Sequence, residues 1–130
     1  MNEVLEFLRN CGTFYLATDD DGRPRVRPFG AVAEFEEKLY IVTNNQKDVY
    51  QQMKKNPKVE ISGMSKGKWI RVSGTVEEDT RREARVAMMN ENTELSSMYS
   101  ADDNLMTVFY FPNGVATISS FTEEPKTISF

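Results

Sequence analysis

The stretch Val42-Thr-Asn-Asn-Gln-Lys-Asp-Val-Tyr-Gln-Gln-Met-Lys-Lys-Asn-Pro57 runs from a strand end through a polar turn into a short helix that a proline closes. Just before it, Leu39-Tyr-Ile-Val42 is an apolar run of strand formers, and between Asp48 and Lys55 the residues Val49 and Met53 recur at helical i, i+4 spacing. Asn44 or Asn45 is the predicted helix cap. The first N–H groups of a helix lack partners inside it and carry partial positive charge, so an anion lodged there gains hydrogen bonds from donors that need acceptors. Lys47 adds a full charge, the Thr43 hydroxyl a further donor and Asn44 a side-chain amide. An ordinary capped surface helix would read the same way, so the neighbouring segments must discriminate.

A chain of 130 residues is expected to form one domain, residues 1–130. Its net charge of −4 gives no basic field for nucleic acid or an acidic membrane surface, and neither is an expected partner. The chain has no histidine, which removes the commonest general base, the usual zinc ligand and every Ser-His or Cys-His nucleophile. Cys11 is the single cysteine and follows the helical stripe of Val4, Phe7 and Leu8, so it reads as a packed thiol with no disulfide partner. With no signal-peptide pattern at the start, a reducing cytoplasm is the expected location. The charge-free run from Asn104 to Thr122 is interrupted by Pro112-Asn-Gly114, which predicts a buried hairpin from Leu105 to Phe121 in place of a membrane span.

In chain order, residues 3–11 predict an amphipathic helix and Thr13-Phe-Tyr-Leu-Ala-Thr18 a strand closed by the turn Asp19-Asp-Asp-Gly22. Three consecutive aspartates lack the alternating ligand spacing of a calcium loop and read as a solvated turn. In Arg23-Pro-Arg-Val-Arg-Pro-Phe-Gly-Ala-Val-Ala33, strand alternation places Arg25, Arg27 and Phe29 on one face and Val26 on the other. Pro28 donates no ladder hydrogen bond, so this is an edge, a bulge or a place where a ligand replaces a neighbouring strand, and Gly30 permits close backbone approach. The arginines are either solvated edge charges or contacts to phosphate and polar ring atoms of a ligand. Beyond a strand from Lys58 to Gly63, Ile70, Val72, Gly74 and Val76 share one strand face and Trp69, Arg71, Ser73 and Thr75 the other. Trp69 is a core or interface anchor, or a lid for a planar aromatic ligand. Thr80-Arg-Arg-Glu83 predicts a capping box for a packing helix, Leu95, Met98 and Tyr99 stand at helical spacing, and the tail to Phe130 carries no assignment. The total is a mainly β chain, a barrel of about six or seven mostly antiparallel strands with helical insertions.

Across nearly its whole length this order of segments resembles the pyridoxamine 5′-phosphate oxidase-like family, the FMN-binding split barrels. The cues are Asp21-Gly-Arg-Pro24, Leu39-Tyr-Ile-Val-Thr-Asn44, Lys47, Asn56-Pro-Lys-Val59 and Ile70-Arg-Val-Ser-Gly-Thr-Val76. The resemblance implies FMN as cofactor, with Arg27, Pro28, Phe29 and Gly30 along the flavin ring and Val42, Thr43, Asn44 and Lys47 around the ribityl phosphate. It further implies a homodimer in which Trp69 contributes to the partner's flavin site, with Pro28 on an edge kept open for that partner. The family's true pyridoxamine phosphate oxidases carry a C-terminal arginine and histidine segment absent here, so oxidation of pyridoxamine phosphate is not expected. Asp48 and Val49 replace basic or hydroxyl residues usual at the helix start, which implies exchangeable FMN.

The expected function is therefore an FMN-dependent oxidoreductase acting on a small molecule, with electrons from NADH, NADPH or a protein donor. Arg27 is the candidate cation at the electron-accepting edge of the ring. The alternatives are a non-catalytic flavin carrier or redox sensor, and a ligand-free dimeric interaction module anchored by Phe109, Phe111 and Trp69.

Overall fold

The computed structural model describes residues 1–130 and contains ten strands and three helices. In order these are α1 (Asn2–Cys11), β1 (Phe14–Asp20), β2 (Arg23–Phe29), β3 (Val32–Phe35), β4 (Lys38–Asn44), α2 (Asp48–Lys55), β5 (Lys58–Ser65), β6 (Lys68–Thr75), β7 (Glu77–Asp79), α3 (Arg82–Glu91), β8 (Met106–Tyr110), β9 (Gly114–Ser120) and β10 (Lys126–Ser129). A 3₁₀ turn, Thr93–Ser97, follows α3. Every strand pair is antiparallel, in one sheet ordered β10-β9-β6-β5-β1-β2 and another ordered β3-β4-β8-β7.

The larger core lies between the two sheets. Leu16, Ile61, Ile70 and Val72 from the first sheet meet Leu39, Ile41 and Phe109 from the second and Phe111 just past the end of β8, closed by Val4 and Leu8 of α1 and Val49 and Met53 of α2. A smaller cluster backs the second sheet, where Ala84 and Met88 of α3 and Leu95 of the 3₁₀ turn cover Ala33, Tyr40 and Val108. Truncating a side chain as fully buried as Met88 costs about 2–5 kcal/mol.

The turn after β1 is the solvated one its sequence suggests. Asp21 and Gly22 take φ of 53° and 92°, and the Asp19 carboxylate accepts the Gly22 N–H at 2.6 Å. β2 is indeed an edge strand, pairing only with β1, which accommodates Pro24 and Pro28.

Four expectations change. There are ten strands because Gly30 and Ala31 end β2 and carry the chain into the other sheet as β3, while Glu77–Asp79 and the tail form strands too short or polar to show periodicity. The run around Pro112-Asn-Gly114 is not a hairpin: β8 pairs with β4 and β7, whereas β9 pairs with β6 and β10. Both faces of β8 are covered, so it takes the centre of its sheet, and the turn hands the chain to the opposite layer. Gly114 is required there for space: a Cβ would stand 2.5 Å from the Phe130 ring, whose backbone N–H donates to the Gly114 carbonyl at 2.9 Å. Finally, the helix caps differ. α2 starts after Lys47 and α3 after Arg81, neither with a side-chain cap. Asn44 instead accepts the Gln46 N–H at 2.9 Å, and Asp79, not Thr80, accepts the Arg81 N–H at 3.0 Å.

Candidate functional site

The inner face of β2 and the start of α2 border two adjoining cavities. Register pairs Arg27 with Leu16 and Phe29 with Phe14, so both project to the core side of the sheet, while Val26 lies outward and is 68% exposed. The first cavity, about 760 Å³, is polar and bordered by Arg25, Arg27, Lys47, Asp48, Gln51 and Gln52 among others. The second, about 310 Å³, is mostly apolar: Pro28, Phe29, Ala31, Val42, Val49, Leu95 and Met98 contribute to its wall. Arg27, Pro28, Lys47 and Val49 border both, so together they form one cleft with a charged end and an apolar end.

At the charged end α2 opens with no side-chain cap, which leaves its leading N–H groups available to an outside acceptor. Lys47 is exposed beside them, and the Asp48 carboxylate does not fold back to occupy them. Arg27 is held from behind. One Nη1 donates to the Leu16 carbonyl at 3.2 Å and to Thr18 Oγ1 at 2.9 Å, and Nη2 donates to Gln52 Oε1 at 2.6 Å. Thr18 in turn donates to Gln52 Oε1 at 2.6 Å. A guanidinium has five N–H groups, so the Nε–H and one Nη2 hydrogen stay free. Burial and the nearby Arg25 charge lower the Arg27 pKa, against an opposing pull from Asp48.

Of the residues singled out in the sequence, Arg27, Pro28, Phe29, Gly30, Val42, Thr43 and Lys47 converge on the apolar cavity. Asn44 stands behind it, 9% exposed, with its amide nitrogen 2.7 Å from the Tyr99 hydroxyl. Gly30 has little need of its missing side chain, since a Cβ there would meet only the Gly12 carbonyl at 3.7 Å. Trp69 is elsewhere. It lies on the outer face of β6, opposite to the buried Ile70, with its ring centroid 5.0 Å from that of Phe121.

That outer face is largely uncovered. Tyr15, Val26, Met64 and Val115, all among the exposed large hydrophobic residues, lie on it by register, since Tyr15 pairs with Ser62, Val26 with Ala17, Met64 with Trp69 and Val115 with Ser73.

Sequence reasoning missed Gln52 and Thr18, which hold Arg27, and it left Leu95, Met98 and Tyr99 unconnected to the cleft. Their helical spacing was legible, but nothing local says that the segment following α3 returns to β4. Cys11 takes no part: it is a free, half-buried thiol whose pKa burial raises, packed where a Cβ on Gly63 would approach its Sγ to 2.8 Å. No grouping of acidic and sulfur side chains suits a metal ion, and no helix is long and apolar enough to cross a membrane.

Residues 1–112 match the pyridoxamine 5′-phosphate oxidase family. The whole chain is similar to a NimC/NimA family protein from Clostridium acetobutylicum, at 53% identity and a TM-score of 0.96, with 93% of that protein covered. More distant likenesses show the fold alone. One is to a pyridoxamine 5′-phosphate oxidase-related, FMN-binding protein from Nostoc punctiforme PCC 73102, with 16% identity, a TM-score of 0.63, and 99% of this chain and 90% of that one covered. Another is to a heme-binding protein from Mycobacterium smegmatis, with 12% identity, a TM-score of 0.73, and 96% and 57% covered. No curated protein matches the sequence.

Proposed function

The chain belongs to the pyridoxamine 5′-phosphate oxidase family, with its split-barrel fold, and from that premise we propose that it binds FMN and serves as an FMN-dependent oxidoreductase of a small molecule. The observation that carries this reading is the joined cleft. It offers an apolar slot bordered by Pro28, Phe29, Val42 and Leu95, continuous with a polar space where Lys47 and Arg27 stand beside the uncapped start of α2. An elongated ligand with a planar ring at one end and a dianion at the other matches both halves.

Lys47 and the leading N–H groups of α2 would hold the phosphate, with charge-assisted hydrogen bonds. Thr43, 5% exposed, offers a hydroxyl on the wall of the apolar cavity. Arg27 would present its two uncommitted N–H groups to the polar edge of the ring, held in place by Thr18 and Gln52. When bound, flavin supplies hydride or single-electron transfer; the chain supplies position, exclusion of water and charge. NADH or NADPH is the proposed electron source, and pyridoxamine phosphate is not the proposed substrate.

We propose further that the exposed outer face, with Trp69, Tyr15, Met64 and Val115, meets a second copy of the chain in a cytoplasmic homodimer. An apolar surface of this kind is the usual mark of an interface. Sedimentation analysis should give a dimer that Met64→Glu shifts toward monomer; an unshifted or monomeric wild type removes this part of the reading.

For the cofactor, the untreated protein should show flavin absorption, or take up FMN in preference to riboflavin on titration. Equal affinity for the two would remove the phosphate site. Oxidation of NADH or NADPH by the loaded protein with added acceptors distinguishes an oxidoreductase from a flavin carrier.

A further inference from the structure

The Asn44 side chain has one amide orientation consistent with its neighbours. Its oxygen accepts the backbone N–H of Gln46 at 2.9 Å, which turns its nitrogen toward the Tyr99 oxygen at 2.7 Å. An amide nitrogen only donates, so in this pair the phenol oxygen is the acceptor. The phenolic hydrogen is thereby left over, and no oxygen or nitrogen of the protein receives it. Tyr99 is fixed at its other end too, since its backbone N–H donates to the Leu95 carbonyl at 2.8 Å. The residue is half-buried and forms part of the apolar cavity wall with Leu95 and Met98. A rigidly held donor without an acceptor, on the wall of a mostly apolar slot, is the arrangement that orients a ligand by one polar atom.

We propose that Tyr99 is the hydrogen-bond donor of this cavity and directs its phenolic hydrogen onto an acceptor atom, a carbonyl oxygen or ring nitrogen, of the planar ring seated there. The inference rests on the flavoprotein reading, in which that ring is the flavin's. Asn44 is the positioning residue: by occupying the phenol oxygen as a donor, it forces the hydrogen outward. A donor at an acceptor atom of the ring interacts more strongly as electron density there rises on reduction, so Tyr99 raises the midpoint potential of the bound cofactor.

The test compares wild type, Tyr99→Phe and protein with 3,5-difluorotyrosine in place of Tyr99, each titrated with FMN and then equilibrated with redox dyes. Tyr99→Phe should keep FMN with affinity reduced about fivefold or less, the loss of one neutral hydrogen bond, while its absorption bands shift and its midpoint potential becomes more negative. The fluorinated phenol, studied below its lowered pKa so that it stays protonated, is a stronger donor at the same position and should move the potential in the opposite direction. A side chain that merely fills space would move neither. If wild type binds FMN and both substituted proteins share its spectrum and potential, the inference falls and the flavoprotein reading stands. If wild type takes up no FMN, both fall together.

Discussion

Arg27 and Arg81 are the same side chain in opposite electrostatic situations. Arg81 donates to both oxygens of Asp79 at 3.1 and 2.8 Å and to both oxygens of Glu36 at 2.9 and 3.0 Å, with its guanidinium 5.2 Å from the centre of the Phe35 ring. Arg27 donates only to neutral oxygens, those of Leu16, Thr18 and Gln52. The two carboxylates around Arg81 raise its pKa, whereas burial and Arg25 lower that of Arg27. A cation neutralised twice over keeps no uncompensated charge for a ligand, and its group ties β4, β7 and the β3–β4 turn together. A cation held in place by neutral acceptors keeps its charge for something from outside. Under the proposed function, charge compensation, more than residue type or burial, is what separates the structural Arg81 from Arg27 as a recognition residue.

That contrast predicts the largest effect at Asp79. Its carboxylate, 8% exposed, accepts from Arg81 and from the Tyr40 hydroxyl at 2.7 Å, and Asp79→Ala removes all of these contacts at once. The expected loss is about 3 kcal/mol of unfolding free energy, read by urea denaturation at neutral pH. The Arg81 hydrogen bonds chiefly, with Tyr40 helping, hold the Asp79 pKa at about 2, below its ordinary 3.8. Because the folded value is the lower one, this stabilisation is complete above about pH 4 and is lost as pH falls toward 2. Asp79→Asn should therefore flatten that part of the stability profile. Parallel acid profiles for wild type and Asp79→Asn would mean the network is not what stabilises the sheet.

Lys47 should show the reverse pattern, large in binding and small in folding. It is exposed and unpaired, so Lys47→Ala should leave unfolding free energy within about 0.5 kcal/mol of wild type. FMN affinity should fall about tenfold to a hundredfold, or about 1.5–3 kcal/mol, with riboflavin affinity barely changed. The deficit should narrow as salt is raised, since screening weakens the wild-type contact. A titration of FMN that Lys47→Ala leaves unchanged would place Lys47 with the solvated surface charges and leave Arg25 and Arg27 as the cations of the cleft.

The halves of the cleft differ in how openly the sequence declares them. Strand alternation in 23–29 and the strand-to-helix transition at 42–55 are local patterns, and both survive in the structure, including Pro28 on an edge and Arg27 on the inner face. What failed was long-range. Leu105–Phe121 has the composition of a hairpin, yet its two strands belong to different sheets, because β8 finds better burial between β4 and β7 than beside β9. Pairing across layers leaves no mark in a window of a dozen residues. The Asn44 side chain was expected to cap α2, but its oxygen reaches only Gln46, and its nitrogen turns toward a tyrosine 55 positions along the chain. Gln52 was invisible for a related reason: a glutamine on a polar helix face looks solvated until the strand beneath presents it with a guanidinium.

Gln52 offers the subtlest test of the contrast between the two arginines. Its Oε1 accepts from Arg27 and from Thr18, each at 2.6 Å, which gives it as many partners as either carboxylate oxygen of Asp79 has. Arg27 is not stranded when it is removed, however, because it borders an open cavity and water can replace the lost acceptor, so that only the buried Thr18 hydroxyl goes without its acceptor. Gln52→Ala should therefore cost about 1 kcal/mol of stability, well short of the loss at Asp79. In the cleft the consequence is a looser guanidinium. Arg27 would keep its charge and its two Nη1 contacts, so FMN affinity should change by less than about tenfold, the shift expected when a contact is loosened and not deleted. Gln52→Glu sharpens the point: a carboxylate in the same position would neutralise Arg27 as Asp79 neutralises Arg81, and it should lower FMN affinity further than alanine does while recovering stability. If Gln52→Glu bound FMN as well as wild type, uncompensated charge on Arg27 would not be what the cleft uses, and the two arginines would differ only in their surroundings.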